Sequence, residues 1–237
     1  MRRFLDFGSW HPEYSHELPV PVIAPGTETA IHDHSLTVST CLSRLYVKNF
    51  VSPTRVIDAL NRTGARFILS GSHAVGGWAN TPRATADVDV LLVPRHVRRA
   101  VAAIGAGFPR LVAVESSTAI QFWHPRSGNV LIDLKKQGRP LYCQARQHTY
   151  RITTRRRSYC IPSREFALAM TFDGIRRATR DQSTKLYGVA RFMEIVKANP
   201  VIDLAQLRRL GELLYAGGGR EVLEMVRRVR SGEPLEL

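Results

Sequence analysis

Residues 87–93 read Asp-Val-Asp-Val-Leu-Leu-Val, an apolar run broken only by two carboxylates. Such a run is a buried strand, and side chains on a strand alternate between its faces, so Asp87 and Asp89 project the same way. Two carboxylates that close repel unless positive charge lies between them. A divalent cation is the economical answer, and hard Mg²⁺ prefers oxygen ligands with substrate phosphates completing its sphere. The distribution of acids sharpens the point. Asp87 and Asp89 are the only acids between Asp58 and Glu115, and Asp133 is the only one between Glu115 and Glu165. Asp133 falls near the end of a second apolar strand, 129–134. Three isolated carboxylates on two strands suit two metal ions, which activate an attacking hydroxyl and stabilise a leaving pyrophosphate. Singly, each has a plainer reading: a turn or cap for any one aspartate, and pairing with Lys135 or Lys136 for Asp133.

Around this strand the pattern is that of a mixed α/β unit. Residues 53–63 carry Val56, Ile57 and Leu60 at helical spacing, with Gly64 at the C-cap position. A short β run, 66–70, ends in Gly71-Ser72. A short helix is expected over 73–79, a loop over 80–86, and a helix from Pro94 to about residue 105. Strands follow at 111–115, 118–123 and 129–134, the last two joined by His-Pro-Arg-Ser-Gly. Ser163 can cap a helix through residue 180. Apolar stripes at Leu186, Val189, Met193 and Val196, and at Leu204, Leu207, Leu210 and Leu214, precede a break at 217–219 and a last helix. The expected fold is α+β: a mixed sheet with flanking helices plus a C-terminal helical bundle. The division is an N-terminal arm at 1–52, an α/β domain at 53–160 and the bundle at 161–237. The arm is expected to be poorly ordered, because its prolines and scattered histidines show no sustained period. His32-Asp33-His34 lacks further ligand spacing and reads as incidental rather than as a metal site.

Gly71-Ser72 adds a phosphate site. Glycine admits close backbone approach, and the serine hydroxyl and the amides opening the next helix can donate to a β- or γ-phosphate. The stretch FILSGSHAVGGWANTPRATADVDVLLV resembles the polymerase-β-type nucleotidyltransferase superfamily, and within it the AbiEii/MenT-like toxin branch of type IV-style toxin–antitoxin pairs. The features that carry the resemblance are a small-residue pair after a strand, the block Arg83-x-Thr85-x-Asp87-x-Asp89, and the later strand aspartate Asp133. It covers about residues 53–200. It implies a nucleotidyltransferase-like fold whose catalytic domain is 53–160. Gly71 and Ser72 would hold the triphosphate of an NTP, Asp87 and Asp89 would bind Mg²⁺, and Asp133 would act as base or third metal ligand. The family's downstream helical lysine is best matched by Lys185, although Lys-Leu-Tyr-Gly stands here where relatives often have Lys-Asp-x-x-Asp; a solvated helix face is the other reading. Arg83 would reach a phosphate or pin its loop. Asp203 matches a further family aspartate or simply caps the next helix. His73 has no assigned role.

Charge narrows the partners. Lys and Arg total 34 against 20 Asp and Glu, a net charge of +14. Residues 1–50 carry four basic and five acidic groups, so the excess lies wholly in the remainder. That favours a phosphate-rich partner and counts against a cationic substrate. Residues 134–164 hold nine basic residues and no acid, with Tyr142, Tyr150 and Tyr159 interspersed, a composition suited to RNA by stacking and phosphate contact. No apolar stretch approaches the ~20 residues of a membrane span. Three cysteines without C-x-x-C spacing read as reduced thiols in a cytoplasmic protein. The expected activity is Mg²⁺-dependent transfer of an NMP from an NTP to an acceptor hydroxyl. The resemblance implies a tRNA 3′ end as acceptor, growth inhibition as the outcome and an antitoxin as partner. The alternative is a non-catalytic nucleic-acid-binding or regulatory protein on the same fold.

Overall fold

The computed structural model describes residues 22–23, 26–136, 138–155 and 157–235. Its centre is one mixed sheet of eight strands. Numbered along the chain, they stand in the spatial order β1 (Val22–Ile23), β7 (Thr149–Thr153), β8 (Ser158–Pro162), β2 (Phe67–Leu69), β3 (Val88–Leu92), β6 (Val130–Lys135), β5 (Ala119–Trp123) and β4 (Val112–Glu115). The middle strands β2 and β3 are antiparallel, and β3 runs parallel to β6. Their burial explains the long apolar run of the sequence: Leu69, Val88, Val90, Leu91, Leu92, Ile132 and Leu134 are all fully enclosed.

Helices α2 (Pro53–Arg62), α3 (Gly71–Ala79) and α4 (Val97–Gly107) join the first strands, and a short turn of helix, α5 (Pro140–Cys143), follows β6. Four helices, α6 (Arg164–Arg176), α7 (Gln182–Ala198), α8 (Leu204–Glu212) and α9 (Gly218–Ser231), pack together as the expected C-terminal bundle. Serine and aspartate caps set their starts. Ser163 accepts from the Phe166 amide at the head of α6, Asp181 from Thr184 at α7 and Asp203 from Gln206 at α8. Because the backbone turns extended at Arg177, α6 stops at Arg176 and not at residue 180 as the sequence suggested, and Asp181 then opens a new helix.

Two segments differ more from expectation. Residues 26–46, inside the stretch read as a loose arm, form the 21-residue helix α1 (Gly26–Tyr46), which packs on α3. Its buried face is His32, Ser35, Leu36, Ser39 and Ser43. The helical spacing is there, but serine and histidine carry it, so no apolar stripe announces it. Small residues let the helices approach: His32 packs on Gly77, where a Cβ would lie 2.8 Å from the imidazole Cγ, and Ser35 packs beside Gly76. The imidazole meets the Trp78 ring edge-on at 4.4 Å. The earlier part of the arm, save Val22 and Ile23, lies outside the described residues. In the basic stretch, β7 and β8 form an antiparallel pair whose Ile152, Tyr159 and Ile161 are buried on one face, while Arg151 stands exposed on the other. The three cysteines form no disulfide. No described helix is long and apolar enough to cross a membrane.

Candidate active site

Strand register brings the three aspartates together. Asp89 in β3 is the direct partner of Asp133 in the parallel β6, so both carboxylates leave the same face side by side. Asp87, one residue before β3, adds the third on that face. Above them stands the start of α3. Gly71 has φ +62°, and a Cβ there would overlap Asp89 Oδ2 and come within 2.8 Å of its Cγ. Glycine at this position is what lets the helix terminus sit against the carboxylate. The approach is locked from the other side as well, because the Ser70 amide donates to the Asp89 carbonyl at 2.9 Å.

The positive charge among these carboxylates comes from a residue that the sequence reading weighed differently. Lys135, expected to pair with Asp133 if with anything, donates instead to Asp89 Oδ1 at 2.8 Å. Lys136 faces away and pairs with Glu115 at 2.5 Å. The alternation Asp133-Leu134-Lys135 puts lysine and aspartate on one face, and that was the available signal. Burial alone would lower Lys135, but Asp89 and then Asp133 outweigh it and hold its ammonium above the usual range. Asp133 is pushed up to about 6, mainly by burial, with Lys135 opposing and Asp89 and Asp87 adding to the rise. Its Oδ1 is buried with no hydrogen-bond partner. Asp87 is also raised, by burial and then by Asp89, although the Thr85 hydroxyl donates to its Oδ1 at 2.8 Å.

As donors these groups suit Mg²⁺: hard carboxylate oxygens on one face, one of them, Asp133 Oδ1, orphaned. As folded, the space belongs to Lys135, and among the described residues no three His, Cys, Asp or Glu side chains converge as a metal centre. A cation binding at Asp87 and Asp89 would have to take over Lys135's place on Asp89.

The remaining candidates divide. Ser72 is at the mouth of the site, its hydroxyl 3.1 Å from the hydroxyl of Tyr187 in α7. Arg83 pins its loop: it pairs with Glu194 and lies 5.4 Å over the Tyr187 ring. The buried Arg191 extends the clasp, donating to the Thr81 carbonyl at 3.0 Å and to Glu194 at 3.1 Å. Burial would raise the Tyr187 phenol, but Ser72, Arg191 and Arg83 together bring it below its ordinary value. Tyr187, Arg191 and Glu194 escaped the sequence reading because their partners lie more than 100 residues away. Lys185 stands two residues before Tyr187, about 200° around the helix, and its side chain makes no hydrogen bond or ion pair among the described residues. Asp203 serves as the α8 cap.

Two neighbours outside the predicted set hold the loop that delivers Asp87. Ser39 of α1 donates to the Arg83 carbonyl at 2.6 Å and meets His73 Nδ1 at 2.9 Å, while Ser43 accepts from the Thr85 amide at 2.9 Å. His73 is buried, which lowers its pKa to about 4 against a small opposing pull from Asp89. Of the tyrosines in the basic stretch Tyr159 is enclosed, while the half-buried Tyr142 donates to Asp173 at 3.0 Å and the half-buried Tyr150 packs against Trp78.

A solved structure, that of an antigenic nucleotidyltransferase-like protein from Paracoccidioides brasiliensis, is similar at 15% identity and a TM-score of 0.44, over 82% of this chain and 93% of the other. No protein-family model and no curated protein matches the chain.

Proposed function

We propose that this protein transfers a nucleoside monophosphate from an NTP to an acceptor hydroxyl, using Mg²⁺. The observation that carries the reading is the register pair Asp89–Asp133, joined by Asp87 on the same face and set directly under the Gly71-Ser72 terminus of α3. Carboxylates beside a helix N-terminus are the two halves of a phosphoryl-transfer site: one side holds cations, the other donates amides and a hydroxyl to phosphate oxygens.

Asp87 and Asp89 would hold the metal, with Asp133 beside them. The ion would supply charge stabilisation for the phosphates. Ser72 Oγ and the first amides of α3 orient the triphosphate, with Gly71 leaving room for close approach. Lys135, which lies 2.8 Å from Asp89 Oδ1, would supply a further cation for the phosphates. Asp133, with its raised pKa and free Oδ1, takes the proton from the attacking hydroxyl. The Arg83–Glu194–Arg191 clasp and Tyr187 hold the 80–87 loop and the Ser72 side of the cleft. Net charge +14 favours RNA as acceptor, with a tRNA 3′ end the first to try, and a toxin role would follow from such a modification.

The test is incubation with Mg²⁺, each α-labelled NTP in turn, and total RNA. Label on RNA that disappears in Asp87→Asn and Ser72→Ala supports the reading and names the nucleotide. A folded protein that binds RNA yet turns over no NTP with any acceptor would replace it with the non-catalytic binding role.

A further inference from the structure

On the same sheet face, but at the opposite end of β3 from Asp87, stands a second charged cluster made only of cations. Arg66 precedes β2 and Arg95 follows β3. The antiparallel pairing of those strands brings them together, with the Val93 amide 3.5 Å from the Arg66 carbonyl. Arg151 joins from β7: it is the register partner of Cys160, which is in turn the partner of Ile68, two residues from Arg66 and on its face. His96 lies beside Arg95, its Nε2 3.3 Å from the guanidinium Nε.

Arg146 completes the group from the turn before β7. It is only 7% exposed, and its Nη1 is buried without a hydrogen-bond partner. His96 Nδ1 is likewise buried and unpartnered. Burial, and then the charges of Arg66, Arg95 and Arg151, disfavour the charged form of Arg146. The described structure shows no salt bridge from Arg66, Arg95, Arg146 or Arg151 to any carboxylate, although Arg–carboxylate pairs are frequent elsewhere in this chain.

A buried guanidinium with an idle donor, under the repulsion of Arg66, Arg95 and Arg151, is costly unless something negative arrives. We propose that Arg66, Arg95, Arg146 and Arg151 form a phosphate-binding site separate from the aspartate cleft, taking the adjacent phosphates of a polyphosphate or of a polynucleotide backbone. Guanidinium forks match phosphate oxygens in pairs, and the exposed Arg66, Arg95 and Arg151 can hold phosphates on either side of the one that reaches Arg146. The site does not depend on nucleotidyl transfer by the aspartates.

Binding of pyrophosphate and of a fluorescent single-stranded RNA 12-mer is measured on the full chain at fixed ionic strength, for wild type, Arg66→Gln/Arg151→Gln and the charge-matched Arg208→Gln/Arg220→Gln, whose exposed side chains lie on α8 and α9. The expected result is a loss of about tenfold or more in Arg66→Gln/Arg151→Gln, with Arg208→Gln/Arg220→Gln near wild type. If RNA binding falls together with pyrophosphate binding, the backbone is the ligand; if only pyrophosphate binding falls, a free polyphosphate is. A second readout needs no ligand: in phosphate-free, low-salt buffer Arg66→Gln should melt above wild type, because one of four repelling charges has gone. Equal binding in wild type and Arg66→Gln/Arg151→Gln, or an equal loss in Arg208→Gln/Arg220→Gln, would overturn the proposal. So would a lower melting point of Arg66→Gln in phosphate-free buffer.

Discussion

Replacing Gly71 by alanine tests the packing on which the candidate site depends. Two costs arise at that position. The backbone has φ +62°, which a residue with a Cβ adopts at about 1–2 kcal/mol. The new methyl would also overlap Asp89 Oδ2 and press on its Cγ at 2.8 Å and its Cβ at 3.0 Å. Asp89 cannot simply turn away, because Lys135 holds its other oxygen at 2.8 Å. Overpacking of this kind costs a further ~1–3 kcal/mol, so Gly71→Ala should destabilise by about 3 kcal/mol. Gly128 supplies the control: its φ is +67°, yet nothing lies within 4 Å of a Cβ built there. Gly128→Ala therefore carries the backbone cost alone, about 1–2 kcal/mol. Urea unfolding of both variants separates the two terms. The clash also predicts coupling, since Gly71→Ala should cost less in an Asp89→Ala background, where the overlapped oxygen is absent. Equal destabilisation by the two glycine substitutions, or strict additivity with Asp89→Ala, would refute the claim that the α3 terminus is seated on that carboxylate.

Ser39→Ala should cost about 2 kcal/mol in denaturant melts, because it leaves His73 Nδ1 buried and unbonded and frees the Arg83 carbonyl; a cost under 0.5 kcal/mol would show that α1 does not clamp the loop. Acid should unfold the protein partly through its buried histidines. His32 and His73 titrate near 4 in the fold against 6.5 unfolded, so the stability they contribute is complete above pH 6.5 and drains away as pH falls toward 4. Each is worth on the order of 3 kcal/mol over that window. The raised Asp87 and Asp133 act in the opposite sense, so the clean comparison is His32→Gln, whose stability should fall less on acidification; parallel pH profiles would contradict it. Lys135→Met should lower stability by about 2 kcal/mol in EDTA, with Mg²⁺ restoring much of it, since the carboxylates lose the cation beside them. A variant insensitive to Mg²⁺ would count against metal binding at this face.

The core of the sheet and the aspartate cluster were legible because they obey local rules. A strand of period two carrying Asp87 and Asp89, a glycine–serine pair after another strand, and isolated Asp133 announce themselves within a few residues. Helix α1 did not, since its inward face is built from His32, Ser35, Ser39 and Ser43, residues that look solvent-facing in any hydropathy window. Strands β7 and β8 are short and carry Arg151, Thr153 and Ser158 on the outward face, so no apolar run announces them. Lys135 illustrates a subtler gap. Its place on the Asp133 face follows from alternation, but its choice of Asp89 needs the cross-strand register, which no local pattern supplies. The Arg83–Glu194–Tyr187 clasp is of the same kind.

Nucleotidyl transfer at the Asp87–Asp89–Asp133 face is open to a count of products. For each NTP, pyrophosphate released and label joined to acceptor are measured in one Mg²⁺-containing reaction. One pyrophosphate is expected per label transferred in wild type, with both lost in Asp87→Asn and Asp89→Asn. Orthophosphate release without label transfer, or transfer that survives both substitutions, would contradict it.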